Sequence, residues 1–248
     1  MSNLKFAVEI FVGIGNFGIW QGESDYGDII DCVNIYKQIS FDNPLIKSSQ
    51  LNLNLEQMKR DNYFPKNKIV QDWHRNGECP FQTVPIIRSL TRETSLFHSL
   101  PAIKNVAIKN HEHAMVSNKK GNYYGGSAIF SVSKPRTEEG DFSLVQLWLA
   151  TDLSTPKSNS IEAGWTVHPH MYGDSKTRFF IYWTNDGYSN TGCYNLKCPG
   201  FVQTSQSFAI GAPLILPIST LDNTTTEIQI SIYKIFRGLS FLAQLSQS

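Results

Sequence analysis

The sequence contains no run of like charges, and Lys plus Arg nearly balance Asp plus Glu at a formal net charge of +1. Nucleic-acid surfaces and polybasic membrane patches both depend on clustered Lys and Arg, so neither class of partner is expected. Long apolar runs are also missing. The stretch from Phe6 to Trp20 is apolar, but Glu9 interrupts it, glycines thin it, and no clean small-residue cleavage site follows. Residues 1–25 are therefore expected to be an atypical N-terminus or a weak signal segment. No other stretch is long and apolar enough to span a bilayer.

Several catalytic signatures are absent too. No Gly-x-Ser-x-Gly elbow occurs, so serine hydrolase chemistry has no support. Gly13-x-Gly15-x-x-Gly18 has the letters of a dinucleotide-binding turn, yet it follows no strand and opens no helix. The pairs His111/His113 and His168/His170 have the i, i+2 spacing that places two ligands on one strand face. No third ligand accompanies them and Pro169 interrupts the second pair, so they are expected at the surface. Neither a metal nor a cofactor is expected.

Cysteine is scarce, with four residues. By position they form two pairs, Cys32 with Cys79 and Cys193 with Cys198. No His lies near the second pair to complete a zinc site, so two disulfides and an oxidising compartment are expected, with four buried thiols as the alternative.

What remains is a chain that is 41% hydrophobic and 17% charged, the balance of a soluble globule large enough to bury a core. From residue 25 to about 110 it mixes turns, short apolar runs and prolines. From His111 onward, alternating segments are separated by turn residues such as Asn185-Asp186-Gly187. Strands are expected over 111–117, 124–133, 142–151, 159–168, 177–184, 208–216 and 226–236. Many short strands rich in β-branched and aromatic residues predict an all-β, antiparallel β-sandwich.

Alternate strand residues share a face. Over 159–168, Ile161, Ala163, Trp165 and Val167 point one way while Ser160, Glu162, Gly164 and Thr166 point the other. The neighbouring segments set Gln146 and Trp148 against Val145, Leu147 and Leu149, and Arg178, Phe180 and Tyr182 against Phe179, Ile181 and Trp183. If these strands lie side by side, Glu162, Gln146, Trp148 and Tyr182 line one surface. A face carrying carboxylate, amide and rings suits an extended polypeptide. Taken alone, each of these residues also has a plain reading, Glu162 as a solvated strand carboxylate and Gln146 as a backbone or solvent partner.

Three stretches resemble the neprosin family of plant peptidases. Asp28-Ile29-Ile30-Asp31-Cys32-Val33-Asn34 with Phe41-Asp42-Asn43-Pro44 resembles the start of its activation peptide, and Gly77-Glu78-Cys79-Pro80 with Val84-Pro85-Ile86-Ile87-Arg88 the end. Ile161-Glu162-Ala163-Gly164-Trp165, Tyr182-Trp183-Thr184 and the run from Thr191 through Cys193 and Cys198 to Gln203 resemble the core of its peptidase domain.

The resemblance implies a secreted β-sandwich zymogen that cuts after proline at acid pH through a pair of glutamates. The first glutamate carries over to Glu162. The second belongs to a Gly-Gly-Glu segment, and the sequence contains none. Asp174, Asp186 and Glu227 are the carboxylates weighed as substitutes, Glu227 least of all because it opposes an Ile228/Ile230/Ile232 face. Another class of glutamic peptidase pairs Glu with Gln, and its place on the polar-aromatic strand face makes Gln146 a candidate oxyanion donor. The same shared face makes Trp148 and Tyr182 candidate substrate-binding residues.

The implied layout is an activation peptide over 26–90, tied by Cys32–Cys79, then a linker over 91–104. A catalytic domain follows over 105–248, shortened at its C-terminal end beyond Lys234. That shortening is expected to leave a sheet edge unpaired and the chain poorly soluble. Asn223-Thr224-Thr225 is a glycosylation sequon, used only if the chain is secreted. Two rival expectations accompany the enzyme: a non-catalytic binding or structural protein on the same fold, and a chain that does not fold stably.

Overall fold

The computed structural model describes residues 21–23, 27–42, 71–88, 112–118, 121–138, 140–151, 158–215, 226–235 and 238–247. Among the described residues, ten strands run antiparallel in three sheets. In chain order they are β1 (Gln21–Glu23), β2 (Ile29–Asn34), β3 (Thr83–Ile87), β4 (Gly125–Ser131) and β5 (Ser143–Ala150), then β6 (Ser160–Val167), β7 (Thr177–Thr184), β8 (Cys193–Tyr194), β9 (Thr226–Ile235) and β10 (Gly238–Gln247). The sheets are ordered β1-β2-β3, β10-β9-β4 and β5-β6-β7-β8. The only α-helix among the described residues is a single turn, α1 (Pro169–Tyr172), which ends at Gly173 in the left-handed conformation.

The two larger sheets pack face to face. Ile161, Ala163, Trp165 and Val167 of β6, with Phe179 and Ile181 of β7, meet Ile228, Ile230 and Ile232 of β9. Each fully buried Ile there stabilises the fold by roughly 2 kcal/mol relative to exposure. Polar side chains tie the layers: the Trp165 indole donates to the Ser131 carbonyl at 3.0 Å, and the Thr177 hydroxyl to that of Ser133 at 2.7 Å. The expected all-β sandwich is thus the observed one, and the apolar face read from period two is the face that forms the core.

Two expected strands do not form. Residues 112–118 are exposed and form no strand, and of the first histidine pair His111 lies outside the described residues. Residues 208–215 fold as turns with a single bridge, Arg178 to Pro213. Gly211 adopts φ +87° there, and the apolar residues serve two cores: Phe208, Ile210 and Leu214 pack on the sandwich, whereas Ala209 and Ala212 face the N-terminal segment. The residues after Lys234 supply β10, which pairs with β9 from Thr226 to Ile235. Among the described residues the edges of that sheet are β10 and β4.

The N-terminal segment contributes β1 to β3 and two 3-10 turns, Ile39–Asp42 and Asp72–Asn76. Pro85 is accommodated because β3 is an edge strand, where a missing N–H can face away from the ladder. The Cys32–Cys79 disulfide lies in a small core with Ile30, Trp73, Ala209 and Ala212. Both expected disulfides are present, Cys193–Cys198 closing the loop after β8.

Buried amides fasten this segment to residues 200–212. Gln38 donates to the Gln203 carbonyl at 2.9 Å and accepts from its N–H at 3.0 Å. Gln71 does the same for Ala209, donating at 2.9 Å and accepting at 2.7 Å. Each side-chain amide replaces one rung of a strand ladder. Arg178, almost wholly buried, adds an ionic tie: it pairs with Asp174 at 2.6 Å and with Asp28 of the N-terminal segment at 3.0 Å. Its guanidinium also donates to the Gly211 carbonyl at 2.9 Å and lies over the Tyr172 ring.

Replacing Gln71 by Ala orphans the N–H and carbonyl of Ala209 and the Trp73 indole, which donates to Gln71 Oε1. Buried groups without partners cost about 1–3 kcal/mol each, so Gln71→Ala is expected to destabilise the chain by about 2–4 kcal/mol in denaturant unfolding. A midpoint equal to that of the wild type would show that the amide clamp carries no stability.

Candidate active site

The second face of the β5-β6-β7-β8 sheet carries the polar set. Register places Trp148, Glu162, Tyr182 and Tyr194 in one row across the four strands. The next row toward the β6 C-terminus pairs Gln146 with Gly164 and Gly164 with Phe180. The four residues expected to share a surface are therefore neighbours. Gly164 is required for this approach, since a Cβ there would stand 1.8 Å from the Val145 carbonyl oxygen.

Every residue of β6 is buried, Glu162 included at 7% exposure. The plain reading of Glu162 as a solvated strand carboxylate is thereby overturned: one sheet face is covered by β9 and the other by the loop after β7. Glu162 Oε1 accepts from the Ser160 hydroxyl at 3.0 Å and the Tyr188 phenol at 2.5 Å, and the two hydroxyls lie 2.8 Å apart. Burial raises the Glu162 pKa above the ordinary carboxylate value. Hydrogen bonds from Tyr188, Ser160 and Gln146 oppose that shift without reversing it.

Tyr188 had no signal in the sequence, because it lies on a loop where no period applies. Thr184 at the end of β7 accepts the Tyr188 N–H at 3.0 Å. Asp186 accepts from Ser189 N–H, Asn190 N–H and both the N–H and hydroxyl of Thr191 at 2.8–3.1 Å. The turn expected at Asn185-Asp186-Gly187 is present, and it continues into Tyr188 with φ +62° after Gly187 at +64°. The phenol stacks on the Tyr182 ring at 5.9 Å and meets the Trp148 indole edge-on at 6.5 Å. Burial pushes the Tyr182 phenol up to about 12, with Glu162 and Asp186 adding to the effect. Tyr188 and Tyr194 are raised by the same cause, so all three phenols stay protonated donors.

Two buried polar atoms on β5 have no hydrogen-bond partner among the described residues: the indole Nε1 of Trp148 and the amide Oε1 of Gln146. One is a donor and the other an acceptor, both on the Glu162 side of the sheet. Native interiors seldom leave such atoms unpaired.

The substitutes weighed for a second carboxylate do not come to Glu162. Asp174 is committed to Arg178, Asp186 to its loop, and Glu227 lies in the other sheet opposite Ser131. No group of three metal-ligating side chains occurs among the described residues. His168, expected at the surface, is instead half-buried: it caps α1 by accepting the Met171 N–H at 3.2 Å and stacks on Phe142 at 5.0 Å. Burial, then the neighbouring His170, lowers its pKa to about 4. Asn223 lies outside the described residues.

Fold and site together define an all-β protein in which a buried carboxyl group is ringed by hydroxyl, amide and aromatic side chains, with an N-terminal segment latched to the same domain. Comparison with family models gives two matches in the same order: the neprosin activation peptide over residues 22–100 and neprosin over residues 139–238. The chain belongs to the neprosin family, and its general type is that of a peptidase zymogen. Its disulfides fit an oxidising compartment. No helix among the described residues is long and apolar enough to cross a membrane.

The raised pKa of Glu162 has a stability consequence. Between the unfolded glutamate value of about 4.3 and the higher folded value, the native state holds the extra proton, so stability falls as pH rises through that window. Glu162→Gln, which keeps an acceptor for Tyr188 and Ser160, is therefore expected to melt higher than the wild type at neutral pH. The advantage is expected to vanish below pH ~4, where Glu162 is protonated in both states. A difference in melting temperature that does not vary with pH would contradict the buried-acid description.

Proposed function

We propose that the chain is the precursor of a secreted endopeptidase that hydrolyses the bond after proline in a polypeptide at acid pH, with Glu162 as its acid–base group. The observation that carries this reading is the Trp148–Glu162–Tyr182–Tyr194 row, with unpartnered atoms of Trp148 and Gln146 beside the carboxyl. An extended peptide crossing this face would lay a flat, apolar prolyl ring against the aromatic side chains and direct its amides to Trp148 and Gln146.

In the ionised form Glu162 takes a proton from a water molecule as its oxygen attacks the carbonyl carbon. In the protonated form it gives that proton to the departing amine nitrogen. A raised pKa keeps both forms available in mildly acidic solution, and the working range moves with it. Gln146, whose amide hydrogen-bonds Glu162 in the resting molecule, is proposed to turn its N–H toward the carbonyl oxygen as negative charge builds there.

The N-terminal segment is proposed to hold the enzyme latent and to leave after cleavage in the linker around 89–109, which lies outside the described residues. Release would break the Arg178–Asp28 pair and the two amide clamps. Secretion and glycosylation at Asn223 belong to the same proposal.

A second reading has its own support. No carboxyl group other than Glu162 hydrogen-bonds within this site among the described residues, which favours a non-catalytic protein that binds proline-containing peptides on the same face.

Incubation of the full chain with a proline-containing peptide at acid pH separates the two. The enzyme reading predicts cleavage after proline, lowered at least about 100-fold by Glu162→Gln. Binding without cleavage by folded protein would replace it with the binding reading.

A further inference from the structure

The residue with the closest hold on Glu162 came from neither strand pattern nor motif. We infer that Tyr188 is a positioning residue for the Glu162 carboxyl, fixing which oxygen is tied and how readily the group ionises. For catalysis this rests on the peptidase reading; as a statement about the carboxyl it does not.

Three observations carry it. The first is convergence on one atom. Tyr188 and Ser160 both donate to Oε1, so neither hydroxyl touches Oε2. Two donors on one oxygen stabilise negative charge there and leave the other oxygen as the one that takes up or gives the proton.

The second is a count of hydrogens. Three oxygen atoms, Glu162 Oε1, Ser160 Oγ and Tyr188 Oη, stand within 2.5–3.0 Å of one another. The two hydroxyls have two hydrogens for three contacts. With Glu162 ionised, both hydrogens go to the carboxylate and the Ser160–Tyr188 contact has none. With Glu162 protonated, its demand falls and one hydroxyl can turn to donate to the other. The cluster therefore satisfies itself in either protonation state by rotating one O–H, with no movement of heavy atoms.

The third is the loop that delivers the phenol. Tyr188 has a left-handed backbone, which costs a non-glycine residue about 1 kcal/mol or more and persists only where the surroundings over-determine it. Here they do so through Thr184 beneath its N–H and Asp186 capping the following residues. Partial burial works against the Asp186 charge, yet donors from Thr191, Asn190 and Ser189 hold its pKa below the ordinary value. Strain concentrated at the residue that reaches the buried carboxyl is what a positioning role requires.

Among the described residues the groups that face Glu162 from the neighbouring strands are neutral. From β5 the facing groups are the neutral Gln146 and Trp148, from β7 and β8 the protonated phenols of Tyr182 and Tyr194, and from its own strand Ser160. Besides Glu162, Asp186 is a carboxylate that acts on Tyr182. Removing the phenol thus removes one identified influence.

The test is titration of the Glu162 side-chain carboxyl by carbon-13 NMR, assigned by its loss in Glu162→Gln, in the full chain and in Tyr188→Phe. Loss of a hydrogen bond to the charged form is expected to raise the Glu162 midpoint by about one pH unit. Replacement of Tyr188 by 3-fluorotyrosine, which keeps the shape and strengthens the donor, is expected to lower it, so a folding defect in the first variant does not decide the matter. An unchanged midpoint in both variants, each shown to be folded, would overturn the inference. If the wild type cleaves peptide at acid pH, the limb of its pH–rate profile governed by Glu162 is expected to move with the midpoint. If the midpoint moves and the wild type cleaves nothing, the positioning role stands and the peptidase reading fails.

Discussion

Most of the molecule is arranged around one costly placement, a carboxyl group in the middle of a strand that is buried on both sides. An ionised carboxylate in such surroundings is disfavoured by several kcal/mol unless donors compensate it or a proton neutralises it. Both remedies are at hand. Ser160, Tyr188 and Gln146 supply donors, and the raised pKa makes the protonated form accessible in mild acid. Gly164 lets β5 approach closely, β8 is brought in by the Cys193–Cys198 loop, and the 184–191 turn closes over the top. The same sheet that pays for this with a polar face builds the sandwich core with the other.

The latch on the N-terminal segment works by a separate set of contacts. Among the described residues it grips Arg178 and residues 200–212, whereas Glu162 is four positions along from Thr166, the β6 neighbour of Arg178. At about 3.3 Å per residue that separates the ionic tie from the carboxyl by roughly 13 Å along the strand. The segment completes a small core with Ala209 and Ala212, so its docking contributes to the fold of the peptidase unit.

The sandwich and the face assignment were legible because period-two alternation in β5, β6 and β7 is unbroken, and register then follows from burying Ile161, Ala163, Trp165 and Val167. The segment over 208–216 misled because its apolar residues divide between two cores around a left-handed glycine, which imitates alternation. Strands β2 and β3 were hidden by short length and by Pro85, tolerable only at an edge that sequence does not reveal. Neither the clamps of Gln38 and Gln71 nor the reach of Tyr188 had a local signature. Each depends on residues far away in the chain meeting through the fold.

The central claim is that Glu162 is a buried acid that keeps its proton above the range of solvent-exposed carboxyls. Infrared difference spectra of the full chain against Glu162→Gln, recorded from acid to neutral pH, test it most directly. The account predicts a protonated-carboxyl band, absent from the variant, that persists after the exposed carboxyls have ionised. Loss of that band together with those of the exposed groups would contradict it.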